Sequence, residues 1–199
     1  MEITVRHAGP ADAPVIADFN LRLAQETEGL HLDPASVRAG VDALLNDLAK
    51  GIYYVAEADG VVAGQVMITY EWSDWRNGNL WWVQSVYVKH EFRGQGVFRR
   101  LFEHVESLAR QQKDVPAIRL YVHADNTRAH RSYEKLGMSR TKYEVFEMDL
   151  QGHSGGAGSY FTNSSVPCSE KSLIGKTDLK TSCRPTLGRS SAGTFMARK

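Results

Sequence analysis

The stretch Gln84-Ser-Val-Tyr-Val-Lys-His-Glu-Phe-Arg-Gly-Gln-Gly-Val-Phe-Arg-Arg-Leu-Phe102 decides how this chain folds. It begins as a strand, passes through a turn that carries two glycines, and continues with the apolar spacing of a helix. Glycine adopts positive φ easily and lets the backbone approach a ligand closely. The first N–H groups of a helix lack intrahelical partners and lie at the positive end of its dipole. The stretch therefore predicts a site for a phosphate or a pyrophosphate.

Two other phosphate-binding motifs do not fit this turn. A P-loop needs a longer glycine loop that ends in Gly-Lys-Ser/Thr, and the chain lacks one. A dinucleotide fingerprint needs a third glycine, and Arg99 stands at that position. Arg93, Arg99 and Arg100 instead place positive charge around the turn. A glycine turn that only connects a strand to a helix stays open as the alternative.

The turn Arg93-Gly-Gln-Gly96-Val-Phe98 resembles the phosphate motif of the GNAT superfamily of N-acetyltransferases, Gln/Arg-x-x-Gly-x-Gly/Ala. Phe98 departs from the family's Gly or Ala, and its ring is expected to point toward the sheet. The resemblance also implies that the pantetheine arm of an acyl-CoA binds the backbone of the preceding strand. The residues that it implies for cofactor binding are Val86, Tyr87, Val88, Arg93, Gly94, Gln95, Gly96, Val97, Phe98 and Arg99.

A second stretch, Asn126-Thr-Arg-Ala-His-Arg-Ser-Tyr133-Glu-Lys-Leu-Gly137-Met138, is similar to a later motif of the same family. Asn126 and Tyr133 are seven residues apart, which puts them on one side of a helix. The resemblance implies that the Tyr133 hydroxyl protonates the departing CoA thiolate and that Asn126 contacts the cofactor or orients Tyr133. A packed helix aromatic and a simple helix cap are the alternatives.

Residues 1–150 contain no cysteine, so an acyl-enzyme on a core cysteine is excluded. Direct attack of an amine on the acetyl-CoA thioester is then the simplest route. An amine is protonated at neutral pH and must first lose a proton to a carboxylate or an ordered water. Glu71 is the first candidate for this base and Asp74 the second. No pair of histidines has the HExxH spacing, so no metal site is expected.

Hydrophobic periodicity over the whole chain predicts a mixed α/β (α+β) fold with a mostly antiparallel central sheet flanked by helices. The predicted order is β-α-α-β-β-β-α-β-α-β, with a loop at 26–33 and a hairpin turn at Asp59-Gly60. The predicted strands are 2–6, 52–58, 61–70, 80–88 and 117–123, and 139–150 is predicted as a last strand or strand pair. The predicted helices begin near 12, 34, 95 and 126, with Asp33 as the cap of the second and Asn126 as the cap of the fourth.

Composition divides the chain into an N-acetyltransferase-like domain at 1–150 and a Gly/Ser/Thr-rich tail at 151–199, which is expected to be disordered. The tail holds seven basic and two acidic residues, which leaves the domain with 17 basic and 21 acidic ones. An acidic domain binds nucleic acid poorly. No apolar run is long enough for a membrane span and no signal peptide is recognised, so a cytoplasmic protein is expected.

The acceptor is expected to be a small amine, polyamine-like or an amino sugar, in preference to a protein lysine. Four tryptophans fall within residues 72–82 and could form an aromatic wall for a cation, although core packing is the equal alternative. Glu26, Glu28 and Asp33 would line the acceptor side, as the resemblance implies for the connection between the first two helices. A homodimer stays open as an option, and a non-catalytic acyl-CoA sensor is the alternative function.

Overall fold

The structure, a computed structural model, describes residues 1–146, 148 and 150. These residues all belong to one compact unit, Met1–Gly158, whereas the second unit, Ser159–Lys199, lies outside the described residues. The predicted tail at 151–199 therefore stays a prediction. The strands are β1 Ile3–His7, β2 Ile52–Ala58, β3 Val61–Ser73, β4 Gly78–Val88 and β5 Ile118–Arg119, and the helices are α1 Ala13–Glu28, α2 Pro34–Leu45, α3 Val97–Gln111 and α4 Thr127–Lys135.

The strands form one sheet in the order β1-β2-β3-β4-β5, in which only the β4–β5 pair is parallel. β2 and β3 form the predicted hairpin, and its turn residues Asp59 and Gly60 have φ of 50° and 80°. Two consecutive positive φ angles give the turn type whose twist matches the flanking strands. The predicted class, a mixed α/β fold with a mostly antiparallel sheet between helices, is confirmed.

Successive residues of β2 enter two different hydrophobic cores, because side chains alternate across a strand. Tyr53 and Val55 pack with Val41 in the core under α1 and α2. Tyr54 packs with Leu101 in the core under α3. Burying one such side chain stabilises the fold by roughly 1.5–3 kcal/mol. The two cores hold α1 and α2 on one face of the sheet and α3 on the other.

α1 is longer than predicted, since residues 26–28 are helical and only 29–33 form the loop. Its last turn is polar and exposed, so the apolar period that marks a helix stops before the helix does. Gly29 ends α1 with a φ of 68° and donates its N–H back to the helix. The predicted cap of α2 is confirmed, because the Asp33 side chain accepts from the N–H groups of Ala35 and Ser36.

The largest difference from the prediction lies after α3. The strand predicted at 117–123 pairs with β4 only through Ile118 and Arg119. Among the described residues of 139–150, none is in a strand, although the prediction places the last strand there. Val145 and Phe146 are 76% and 90% exposed, so no partner strand covers them. A strand needs a neighbour to satisfy its backbone, and the two-residue β5 offers too short an edge.

Candidate active site

The turn before α3 has the geometry of an anion site. Gly94 and Gly96 have φ of 78° and 87°, which glycine adopts without steric cost. A Cβ added at either glycine would meet no atom within 4 Å, so the space beside the turn is open. α3 begins at Val97, and within the described part of the chain no side chain caps its N terminus. The N–H groups of this first turn are therefore available to a phosphate.

The Arg93 side chain ties this turn to β4 and to the end of α1. Its Nε donates to the carbonyl oxygen of Val88 at 2.9 Å, and its Nη2 donates to Glu26 at 2.5 Å. The Tyr87 hydroxyl donates to the other oxygen of the same carboxylate at 2.7 Å. Burial alone would raise the pKa of Glu26, but the hydrogen bonds from Arg93 and Tyr87 outweigh it and lower that pKa. The carboxylate is therefore charged at neutral pH, and Arg93 shapes the turn from behind.

Two further side chains predicted to bind the cofactor also have partners at the turn. Gln95 Nε2 donates to the carbonyl oxygen of Glu91 at 2.6 Å. Arg99 Nε donates to Glu103, one helical turn later, at 2.8 Å. Both residues are exposed, and their contact with a cofactor stays a prediction.

β4 carries a bulge at Ser85, which the sequence analysis missed. Ser85 has a φ of 48°, in the left-handed region that costs a non-glycine residue on the order of 1–3 kcal/mol. The register with β3 shifts here, so that Gln84 lies opposite Met67 while Tyr87 lies opposite Gln65. A bulge redirects the backbone and often lies beside an active site. A serine carries no sequence signal for such a conformation.

Beyond Trp82 the outer edge of β4 has no partner strand among the described residues, since β5 pairs only with Trp81 and Trp82. The open edge includes Val86, Tyr87 and Val88, the residues implied to bind the pantetheine arm. Gly64 of β3 lets β4 approach closely on its other side, because a Cβ there would lie 2.8 Å from the carbonyl oxygen of Tyr87. One backbone group is already engaged, namely the Val88 carbonyl that accepts from Arg93.

Tyr133 on α4 packs edge-on against Phe98 on α3, with 5.7 Å between ring centroids and an interplanar angle of 79°. The two sequence motifs therefore meet in space. Phe98 also contacts Phe102 at 6.2 Å, so its ring lies between α3 and α4 rather than against the sheet as expected. Burial raises the pKa of Tyr133, which keeps its hydroxyl protonated at neutral pH. Asn126 Oδ1 accepts from the Ala129 N–H at 3.0 Å and caps α4, while its cofactor contact stays a prediction.

A cavity of about 420 Å³ lies between α1, α2 and the sheet and reaches the bulge at Ser85. A chain of polar side chains runs beneath it. Gln65, fully buried, donates from Nε2 to Asn20 Oδ1 at 2.7 Å and to the Ser85 carbonyl at 3.2 Å. Asn20 Nδ2 donates to the Tyr53 hydroxyl oxygen at 3.0 Å. The signal for this network was a glutamine inside a buried strand and an asparagine on the apolar side of α1.

The model of the Acetyltransferase (GNAT) family matches residues 21–138, more than half of the chain. The chain belongs to the GNAT acetyltransferase family. The resemblance drawn from the two motifs is thereby confirmed. The matched range includes the glycine turn, the bulge and α4.

Solved structures agree with this assignment. A possible acetyltransferase from Clostridium difficile 630 is 43% identical, with a TM-score of 0.71 over 75% of this chain and 99% of that one. AAC(6′)-Iy in complex with the bisubstrate analogue CoA-S-monomethyl-acetylneamine shares 20% identity, with a TM-score of 0.61 over 75% and 99% of the two chains. Glucosamine-6-phosphate N-acetyltransferase from Arabidopsis thaliana shares 17% identity, with a TM-score of 0.57 over 74% and 99%. The last two show the likeness of fold.

A comparison with curated proteins found no match. No helix among the described residues is long and apolar enough to cross a membrane.

In this GNAT acetyltransferase the first candidate for the base, Glu71, lies near the end of β3 with its carboxylate engaged. Trp82 Nε1 donates to it at 2.5 Å, and Arg119 Nη1 lies 3.3 Å from it. The second candidate, Asp74, is exposed beyond the end of β3 and accepts from the N–H of Trp75. Neither residue lies among those that line the 420 Å³ cavity. The role of a base stays a prediction for both.

The four tryptophans of the acetyltransferase do not form one wall. Trp72 and Trp75 are 60% and 89% exposed. Trp81 is buried in the core under α3, and Trp82 holds Glu71 on the other face of the sheet. Trp81 and Trp82 thus face opposite sides of the sheet, as adjacent residues of a strand do, and none of the four tryptophans lines the cavity.

Proposed function

We propose that this acetyltransferase moves an acetyl group from acetyl-CoA to the amine nitrogen of a small molecule. The observation that carries the proposal is the contact between Tyr133 and Phe98, which sets a protonated phenol beside the glycine turn. A turn of this kind would bind a phosphate without any phenol nearby. The pairing therefore favours chemistry at the bound group over binding alone.

Acetyl-CoA would be held mainly by backbone groups. The turn from Gly94 to Phe98 offers N–H groups to the pyrophosphate, and the open edge at Val86–Val88 offers hydrogen-bond partners to the pantetheine arm. When bound, the donor supplies an electrophilic thioester carbonyl and a thiolate leaving group. The hydrogen bond from Arg93 to the Val88 carbonyl oxygen keeps the turn close to β4, and the ion pair of Arg93 with Glu26 ties it to α1, so both binding segments act as one surface.

Tyr133 would give its proton to the departing sulfur. A phenol serves as a general acid only if it is protonated before the step, and burial raises the pKa of Tyr133. The ring contact with Phe98 fixes the phenol on α4 near the N terminus of α3. A proton given in this way makes the thiolate a better leaving group.

The acceptor is proposed to be a small amine, which is a cation until it loses a proton. Because Glu71 already accepts from Trp82 and Arg119, a water bound to its carboxylate is the most direct carrier of that proton. The neutral nitrogen then attacks the thioester directly. The bisubstrate analogue and the amino-sugar phosphate in the names of two similar structures support a small-molecule acceptor.

An acyl-CoA sensor without turnover is the second candidate. The observation that favours it is Phe98, where the family's phosphate motif has Gly or Ala and this chain has an aromatic ring. Such a protein would bind acetyl-CoA tightly and leave the thioester intact.

The test is thiol release from acetyl-CoA over a mixed panel of amines, followed by mass spectrometry of the products and calorimetry of acetyl-CoA binding. Amine-dependent release with an acetamide product supports the enzyme. Binding without release on any amine supports the sensor, and no association at millimolar acetyl-CoA refutes both.

A further inference from the structure

The cavity between α1, α2 and the sheet has apolar walls. Its volume of about 420 Å³ falls in the ~300–1,000 Å³ range of small-molecule sites. The side chains that form the walls are all aliphatic or thioether groups, namely Leu23, Leu30, Val37, Val41, Leu44 and Met67. Among the described residues that line it, Glu28 brings the one carboxylate, and Glu28 is exposed at the rim. The interior is therefore suited to a hydrocarbon body and disfavours a second charge.

The inner end of the cavity is polar and lies at the bulge. Tyr53 and Ser85 both line it, and the Tyr53 oxygen accepts from Asn20 Nδ2 at 3.0 Å. Asn20 is itself held in that orientation by the hydrogen bond from Gln65 Nε2. The Tyr53 hydroxyl is also hydrogen-bonded to the Ser85 side chain, so the two hydroxyl groups together form the polar end of the cavity. Burial raises the pKa of Tyr53, so its hydroxyl stays protonated at neutral pH.

Two of the three carboxylates expected to attract a polyamine or an amino sugar are engaged elsewhere. Glu26 is held by Arg93 and Tyr87 on the side of the glycine turn. Asp33 is used by the cap of α2, where Ser36 donates to it from both its backbone and its hydroxyl group. Neither of the two lines the cavity.

We infer that the cavity binds the acceptor as a primary amine on an apolar body, such as an alkyl or arylalkyl amine, with Tyr53 orienting the nitrogen beside Ser85. An N–H of the neutral amine donates to the Tyr53 hydroxyl oxygen, so the nitrogen lone pair stays free to attack the thioester carbonyl. The body of the acceptor then packs on Leu23, Val41 and Met67. This inference rests on the proposed function, because the nitrogen is the atom to be acetylated. Tyr53 is a positioning residue in this arrangement.

The decisive experiment compares hexylamine with 1,5-diaminopentane, which has the same number of heavy atoms but ends in a second amine. Both are assayed with saturating acetyl-CoA, together with butylamine, spermidine and glucosamine. Each added methylene buries apolar surface, so kcat/KM should rise about fourfold per methylene, which is about 16-fold from butylamine to hexylamine. Hexylamine should exceed the diamine by about 100-fold or more, because the second ammonium would lose water against the aliphatic walls, and the one carboxylate among the described lining residues, Glu28, lies at the exposed rim.

Variants of the cavity wall give the matched control. Met67→Glu should lower kcat/KM for hexylamine at least ~10-fold while acetyl-CoA binding stays the same, because it places a carboxylate on the apolar wall. Met67→Leu should keep the preference, and Leu48→Glu, at a position 58% exposed outside the cavity, should change nothing. Tyr53→Phe should lower kcat about 10-fold and leave the dependence on alkyl length intact. Thermal unfolding confirms that each variant is folded.

Turnover of spermidine, glucosamine or the diamine at rates equal to hexylamine would overturn this inference and leave the proposed function standing. If no amine is turned over, the proposed function fails. Calorimetry of hexylamine in the presence of CoA then tests amine binding in the cavity independently of turnover. Saturable binding that Met67→Glu weakens supports the inference, and the absence of binding overturns it.

Discussion

Replacing Tyr133 with phenylalanine removes one oxygen and keeps the ring that packs against Phe98 at 5.7 Å. General acids contribute about 10²–10⁴-fold to a rate, which corresponds to roughly 3–5 kcal/mol of transition-state stabilisation. We expect kcat to fall by at least ~10²-fold for that reason. The free energy of unfolding should change by less than about 1 kcal/mol, because the ring contact is retained.

The assay measures thiol release under saturating acetyl-CoA, with the dissociation constant of acetyl-CoA determined by calorimetry. The binding constant should be unchanged within about twofold, since the lost interaction forms only in the transition state. Tyr143→Phe serves as the matched control, because Tyr143 is 78% exposed and its ring lies by Arg119. It loses the same hydroxyl group and should retain full activity.

The dependence on pH adds a second readout for Tyr133. Its pKa is raised by burial above the ordinary value near 10 for tyrosine, so the acid form is present at all neutral and mildly alkaline pH values. Any loss of rate caused by deprotonation of Tyr133 must therefore appear above about pH 10 and be absent from Tyr133→Phe. Unchanged kcat in Tyr133→Phe would remove this residue from the mechanism, and so would a loss of kcat matched by Tyr143→Phe.

Three other changes test separate parts of the molecule. Gly96→Asp should abolish acetyl-CoA binding in calorimetry, because it adds bulk and negative charge at a φ of 87° beside the anion site, and retained affinity would refute that site. Glu71→Gln should lower kcat by about 10²-fold without weakening acetyl-CoA binding if the carboxylate takes the amine's proton, whereas full activity would leave Glu71 only as the partner of Arg119. Asp12→Asn should destabilise the fold by about 1.5–3 kcal/mol in urea unfolding, because the buried Asp12 accepts two hydrogen bonds from Arg6. Those bonds lower the pKa of Asp12, so its contribution to the free energy of unfolding is fully present above about pH 4 and is lost as the pH falls through the lowered pKa. The variant should lack this contribution at neutral pH.

The features predicted correctly are those in which the residues that matter are neighbours along the chain. The turn from Gly94 to Gly96 needs only two glycines between a strand and an apolar helical stripe, and its positive φ angles follow from local sterics. The caps by Asp33 and Asn126 are likewise decided within four residues. Family resemblance then linked two such local motifs in the right chain order.

Missed features depend on residues brought together from distant parts of the chain. The network of Asn20, Tyr53 and Gln65 joins α1, β2 and β3, and none of its hydrogen bonds connects residues fewer than 20 positions apart. Hydrophobic periodicity places each of these residues on an element but cannot say which residue lies opposite another. The bulge at Ser85 shifts the register of β4 against β3, and that shift decides which backbone groups face the cavity.

The contrast between local motifs and long-range contacts also separates recognition of the acetyl donor from recognition of the acceptor. A pyrophosphate is recognised by backbone N–H groups, and a short local motif is sufficient to present them. The acceptor is recognised by the side chains of α1, α2 and two strands, so its chemistry depends on their packing around the cavity. The polar residues of 26–33 suggest a cationic acceptor when they are seen only as neighbours in sequence. In the folded chain Glu26 binds Arg93, Asp33 caps α2 and Glu28 lies at the exposed rim of the cavity, so the apolar walls select the body of the acceptor.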